Sequence, residues 1–215
     1  MPTTQIVLIR HGETAWNAER RLQGHLDIAL NAEGLRQADA LAAALAGERF
    51  AAIVASDLQR ARQTAEAVAG LHAMTVHTDA ALRERCYGGF EGLLYAEIEA
   101  RFPLEFAAWQ ARDIDSVMPP GARVAESFRQ FYQRSTDAIL AWAGRYPGAT
   151  LALVAHGGVL ECAYRSALGL SLATPRDFSV KNASINRFAV RDGALQLISW
   201  GEVDHLQRGV LDELS

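Results

Sequence analysis

Lysine is all but missing from this chain: Lys181 stands alone among 215 residues, against twenty arginines. Much of that skew is compositional, yet it excludes the G-x-x-x-x-G-K-[ST] phosphate loop, which depends on its lysine. Neither G-x-G-x-x-G nor H-E-x-x-H occurs, so dinucleotide-binding and zinc-protease readings fall away with the nucleotide-motor one. An excess of positive charge is missing as well. The formal net charge is −4 and the sequence pI about 5.9, which argues against general affinity for nucleic acid or an anionic membrane. No apolar run approaches membrane-spanning length, and no basic-then-apolar leader precedes the first strand pattern. The two cysteines, Cys86 and Cys162, lie far apart without metal-ligand spacing. Both are expected as free thiols in a reducing cytoplasm.

What is present is an alternation of strand and helix patterns. Gln5–Ile9 is an apolar, β-branched run of the kind covered on both faces. Asn31 is placed to cap a helix through "AEGLRQADALAAALAGE", with Leu35, Ala38, Leu41, Ala42 and Leu45 on one face. "FAAIVAS" reads as a second buried strand and "AMTVHT" as a short third. The helix between them, "DLQRARQTAEAVAG", is expected to be capped by Ser56 or Asp57 and to stop near Gly70. Val124–Ala143 is a long periodic helix, and "VLECAYRSALG" another after "ATLALVAHGG". Ile185–Val190 and Leu195–Trp200 flank Asp192-Gly193, a strong hairpin signal. The expected fold is a three-layer α/β/α sandwich with a mostly parallel central sheet and an antiparallel edge. Glycines, prolines and aromatics crowd residues 82–124. Two short helices and a loop over Ser116–Ala122 are expected there, a small helical cap over about 85–124 within a single domain spanning 1–215.

Two stretches share one device. "IVLIRHGETAWN" and "LALVAHGG" each end an apolar strand in histidine and glycine, at the carboxyl ends of strands where open α/β sheets bind ligands. His11 and His156 therefore have a common destination, with Ser56 ending a third strand nearby. Arg10, Arg62 and Glu84 complete a set of two histidines, two arginines and a carboxylic acid.

"RHGETAWN", "SDLQRARQTA", "LRERCYGGFEGL" and "VAHGG" occur in this order. The chain thereby resembles the histidine phosphatase superfamily, in its phosphoglycerate mutase-like branch, from Arg10 to Gly158. The resemblance implies that His11 is a nucleophile carrying the phosphoryl group. An attacking imidazole needs one bare nitrogen, so the other should donate to a fixed acceptor. Arg10 and Arg62 are implied to clamp the phosphoryl oxygens; Arg60 is expected at the surface. His156 is implied to donate to the phosphoryl group, Gly157 to let the backbone approach it, and Glu84 to be the proton donor. Glu13 and Glu91 are alternatives with structural roles. Asn17, Gln23 and Gly24 match phosphate- and substrate-contacting positions, and Trp16 is read as packing. With arginine and histidine meeting the phosphoryl charge, no metal or other cofactor is implied. His25, His72, His77 and His205 fit no ligand spacing and are read as surface or core residues.

Phosphatase and mutase share these residues, so the choice falls on the middle segment. Arg85 and Tyr87 sit where mutases of the family hold phosphoglycerate. Against this, only residues 85–155 separate Glu84 from His156, no lysine precedes Lys181, and Arg112 and Arg123 are not adjacent. The short cap resembles the phosphatase subgroup. The expected activity is metal-independent hydrolysis of small-molecule phosphomonoesters through a phosphohistidine, with mutase-type transfer as the alternative and a non-catalytic phospho-ligand binder behind both. Neither nucleic acid nor membrane is an expected partner; a homodimer is the assembly that the resemblance suggests.

Overall fold

The computed structural model describes residues 2–206, 211 and 212. In chain order its elements are β1 (Thr4–Arg10), α1 (Ala15–Ala18), α2 (Ala32–Leu45), β2 (Ala52–Ala55), α3 (Gln59–His72), β3 (Val76–Thr78), α4 (Tyr95–Arg101), α5 (Pro103–Gln110), α6 (Phe128–Arg145), β4 (Thr150–Ala155), α7 (Gly157–Leu168), β5 (Ile185–Arg191) and β6 (Ala194–Glu202). The strands form one sheet in the order β3-β2-β4-β1-β5-β6. β1 and β2 both run parallel to β4, and β3 runs parallel to β2; β5 and β6 are antiparallel additions beside β1.

Strand alternation divides the core. Ile6 and Leu8 of β1 point to one face, where they meet Phe131, Ile139 and Trp142 of α6 and Val159 and Leu160 of α7. Val7 and Ile9 point to the other, against Leu41 and Leu45 of α2 and Ala65 and Val68 of α3. The sheet is thus covered on both sides, and β1 can be apolar throughout because neither face meets water. A separate cluster of Leu22, Phe90, Ile98, Met118 and Ala125 holds the cap helices α4 and α5 over the carboxyl ends of the strands. Among the described residues, no helix is long and apolar enough to cross a membrane. Cys86 and Cys162 are free and buried.

Local signals behave as their chemistry dictates, with three departures. Asn31 caps α2, its Oδ1 accepting from the Gly34 N–H at 2.7 Å, but Leu35 is 48% exposed rather than part of the buried stripe. Gly34 and Gln37 take that face instead: Gly34 lies against the backbone of Gly12 and Glu13, and Gln37 accepts from the Glu13 N–H. Neither Ser56 nor Asp57 caps α3. The Gln59 N–H is taken by Asp27, from a distant loop, at 2.7 Å, and α3 runs on past Gly70 to His72, ending in left-handed Ala73. The long helix α6 begins four residues later than Val124, at a capping box of Ser127 and Gln130. Asp192 and Gly193 both have positive φ, 51° and 77°, as a tight hairpin between twisted strands requires.

Candidate active site

β1 and β4 are adjacent and parallel, so their carboxyl ends bring His11 and His156 together. The ring centroids are 5.2 Å apart in an edge-on arrangement. A cleft with about 500 Å³ of empty space opens over His11, lined by Arg10, Asn17, Gln23, Gly24, Arg60, Glu84 and Tyr87 among others. His11 Nδ1 lies 2.6 Å from the Gly12 carbonyl. A carbonyl only accepts, so Nδ1 carries the proton and Nε2 keeps its lone pair. The backbone behind His11 is fixed too, because its carbonyl accepts from the Asn182 side chain at 3.0 Å and the Ala183 N–H at 3.2 Å.

Glu84 is held across the cleft by two backbone donors. Its Oε1 accepts from the Arg85 N–H at 2.7 Å and its Oε2 from the Gly158 N–H at 3.0 Å. The second bond comes from the first turn of α7, the helix that His156 precedes. Gly158 must be small: a Cβ there would stand 2.3 Å from Glu84 Oε1. Both ring nitrogens of His156 are buried, with no hydrogen-bond partner among the described residues.

The arginine expectation is corrected. Arg60 is fully buried and lines the cleft; its Nη1 and Nη2 donate to the carbonyls of Leu26 and Gly24, each at 2.8 Å. Arg62 points away, its side chain 45% exposed beside Glu66 at 3.6 Å. Arg10 is buried and tied to the Val180 carbonyl at 2.6 Å. Asn17 lines the cleft while its Oδ1 accepts from Thr14, closing the cap of α1. Ser56 is turned to its own loop, where its Oγ accepts from the Leu58 N–H. Glu13 accepts from Asn31, and Glu91 from the N–H groups of His25 and Tyr87. Arg123 lies half-exposed near Glu91.

A family model for the histidine phosphatase superfamily (branch 1) matches residues 6–203. The chain belongs to that superfamily. It is 37% identical to phosphoglycerate mutase-like protein 4 of Arabidopsis thaliana, over 94% of this chain and 87% of the other. It is 38% identical to a metal-independent phosphoserine phosphatase of the same plant, over 94% and 83%. A phosphoserine phosphatase from Entamoeba histolytica, solved in complex with 3-phosphoglyceric acid, superposes with a TM-score of 0.83 at 27% identity, over 94% of this chain and 99% of that one. Family and fold together make this histidine phosphatase an enzyme of the phosphoric monoester hydrolase class.

Beside the cleft, sharing Leu22, Tyr87 and Tyr95 with it, lies a second pocket with about 690 Å³ of empty space, counted out to open solvent. Arg85, Arg112, Arg176 and Glu161 bring charge to it; Tyr87, Trp109 and Phe128 form aromatic walls. Arg85 is buried. Its Nε donates to the Glu126 carbonyl at 2.9 Å, and its guanidinium lies over both Tyr87 and Phe128. Burial pushes its pKa down, against the opposing pull of Tyr87 and Glu126. Arg112 also stacks on Phe128 and donates to Glu161. Among the described residues, no side chain or carbonyl takes Nη1 of either arginine. Tyr95, Trp109, Arg112, Glu161 and Arg176 reach this place from four separate segments, so no local motif announces them.

Burial, then the cations Arg60 and Arg10, hold the His11 imidazole well below its ordinary value of 6.5. The same causes in the order burial, Arg60 and His11 hold down His156. Both rings are neutral at pH 7, as an attacking imidazole requires. In the unfolded chain they titrate near 6.5, so below that pH the unfolded state binds more protons than the native one. Stability is therefore full above about pH 6.5 and falls as the pH drops through it, by up to ~1.4 kcal/mol per pH unit for each ring. His25 and His205, also held down by burial, act in the same direction. Urea unfolding at pH 7.5 and 5.5 checks this: the midpoint should fall on acidification, and less so in His156→Gln. A midpoint unchanged between the two would contradict it.

Proposed function

We propose that this chain hydrolyses small-molecule phosphomonoesters, without a metal, through a phosphohistidine on His11. The observation that carries the reading is the Nδ1–Gly12 hydrogen bond, which leaves Nε2 bare toward a cleft shared with Arg10, Arg60 and Glu84. The Nε2 lone pair attacks phosphorus as the bond from phosphorus to the ester oxygen breaks. Protonated Glu84 gives its proton to the departing alkoxide. Water then attacks the phosphohistidine, Glu84 takes its proton, and the P–N bond breaks to return Nε2 and release phosphate. Arg10, Arg60 and one N–H of neutral His156 meet the charge that develops on the equatorial oxygens. Among the described residues, no group of three or more His, Cys, Asp or Glu side chains is placed to hold a metal ion.

The second pocket supplies a reading of the leaving group. Arg85 and Arg112 each keep an Nη1 without a partner among the described residues, beside aromatic walls, which suits an alcohol bearing a carboxylate. That reading agrees with the 3-phosphoglyceric acid in the amoebal relative's structure. A charge-assisted pair of this kind contributes ~1.5–3 kcal/mol, so 3-phosphoglycerate should exceed glycerol 3-phosphate in kcat/KM by about 10- to 100-fold. Phosphate release over a panel of metabolite phosphates measures it; equal values would remove the carboxylate from the reading. The mutase alternative draws on Arg85 and Tyr87 and on the mutase-like relative. Incubation of 3-phosphoglycerate with a trace of 2,3-bisphosphoglycerate decides between them: phosphate release is expected to outrun 2-phosphoglycerate formation, and the reverse would make the chain a mutase.

A further inference from the structure

Arg134 lines neither pocket, yet it makes more bonds to the segment carrying Glu84 than any other side chain of α6. Its Nη1 donates to the carbonyls of Ala81 (2.8 Å) and Arg83 (3.1 Å), and its Nη2 to the carbonyl of Glu84 itself (3.2 Å). Three of the four carbonyls from residue 81 to residue 84 thus face one guanidinium. Arg134 is in turn fixed by Glu126, which accepts from its Nε and Nη2 at 2.7 Å each. Glu126 grips the same segment from its far end. Its Oε2 accepts from the Cys86 N–H at 3.0 Å, its carbonyl from Arg85 Nε at 2.9 Å, and its own N–H donates to the Cys86 carbonyl at 2.9 Å. Burial pushes the Glu126 pKa up, but the Arg134 hydrogen bonds, the Cys86 N–H and the charges of Arg134 and His25 together outweigh it and hold the carboxylate below its ordinary value. His25 Nε2 completes the arrangement at 2.7 Å from the Glu84 carbonyl.

We propose that the Arg134–Glu126 pair is a positioning device for the proton donor, a clamp on residues 81–86 that holds the Glu84 carboxyl at the α7 N-terminus and over the reacting phosphorus. The inference rests on the reading of Glu84 as general acid. Five bonds from Arg134 and Glu126 to its backbone groups set the path of this segment, and its Glu84 carboxyl meets the first turn of α7 through the Gly158 N–H. A side chain on so irregular a stretch keeps its aim only while the backbone beneath it is fixed; displacement by about 1 Å costs on the order of 10²-fold in rate.

The clamp leaves a signature that lost stability does not. An alkoxide leaving group needs the proton; p-nitrophenolate hardly does. The rate of phosphoenzyme formation is measured by rapid quench for glycerol 3-phosphate and for p-nitrophenyl phosphate, in the wild type and in Arg134→Met, Glu126→Gln and Glu84→Gln. Arg134→Met is expected to lower the alkyl rate by 10- to 100-fold and the aryl rate by less than a third of that factor. Glu126→Gln, which keeps an acceptor for the Cys86 N–H, should move the ratio of the two rates in the same direction by about 3- to 10-fold, and remains informative if Arg134→Met does not fold. Equal losses on both substrates, or no loss, overturn the clamp when Glu84→Gln does shift the ratio. A Glu84→Gln protein with an unchanged ratio removes the acid assignment, and the clamp with it.

Discussion

His11→Ala is expected to lose turnover of p-nitrophenyl phosphate by on the order of 10⁴-fold or more, and to form no phosphorylated protein. The size follows from what is removed. Nε2 is the bare nitrogen of a ring whose other nitrogen is pinned to Gly12, and the neighbouring His156 ring, 5.2 Å away between centroids and buried, is read as a donor to the phosphoryl group rather than an attacking group. Arg10 and Arg60 remain in the variant, so the cleft should still hold inorganic phosphate with an affinity within about tenfold of the wild type. Loss of rate with binding retained is the pattern of an interaction made during the reaction rather than before it. The wild type should also yield an acid-labile, base-stable phosphoprotein when quenched during turnover. Turnover of His11→Ala within tenfold of the wild type would end the nucleophile assignment. His156→Ala removes a donor but no attacking atom, and should lose about 10²- to 10³-fold.

The parts of this site that were legible in the sequence are those that a strand delivers. β1 and β4 are short, apolar on both faces and followed at once by histidine and glycine, so strand type, burial and the aim of the next side chain are fixed together. The sandwich was legible for the same reason, since apolar strands between amphipathic helices have few other ways to cover both faces. Helix-borne positions were harder. Arg60 and Arg62 are two residues apart, about 200° around an α-helix, and both stand within one motif. The signal that separates them is the buried stripe of α3: Arg60, Thr64 and Val68 share a face, while Arg62 pairs with Glu66 across one turn on the water side. Leu35 misled in the opposite way, because Gly34 and Gln37, chosen for close approach and hydrogen bonding to residues 12–13, occupy the buried face where apolar residues were sought. The second pocket was legible only at Arg85 and Tyr87, within one motif. Arg112 and Glu161 meet across 49 positions, and only the packing of the cap on α7 brings them together.

Arg60→Ala and Arg62→Ala should therefore behave as opposites, despite their adjacency. Arg60 is a buried guanidinium at the cleft, and its field helps hold His11 and His156 neutral. Removing it takes away both charge complementary to the phosphoryl oxygens and part of the reason why His11 is unprotonated. A loss of about 10²- to 10³-fold in kcat/KM is expected, with weaker inhibition by orthovanadate, a phosphoryl mimic. The acid limb of the pH–rate profile should move to higher pH, because less positive charge then opposes protonation of His11. Arg60 also ties down the Gly24 and Leu26 carbonyls, and water admitted by a loosened loop would move the limb the same way, because burial is the larger cause of the low histidine pKa. Arg60→Lys, which keeps the charge without the fork, separates the two: it should leave the acid limb near its wild-type place if the field is responsible. Arg62→Ala removes an exposed i,i+4 pair with Glu66, worth ~0.3–0.5 kcal/mol, and should leave kcat/KM within twofold and the acid limb unmoved. Were the two outcomes interchanged, the phosphoryl group would have to sit on the outer face of α3, where Arg62 has Glu66 for a neighbour and no histidine within reach of the reaction.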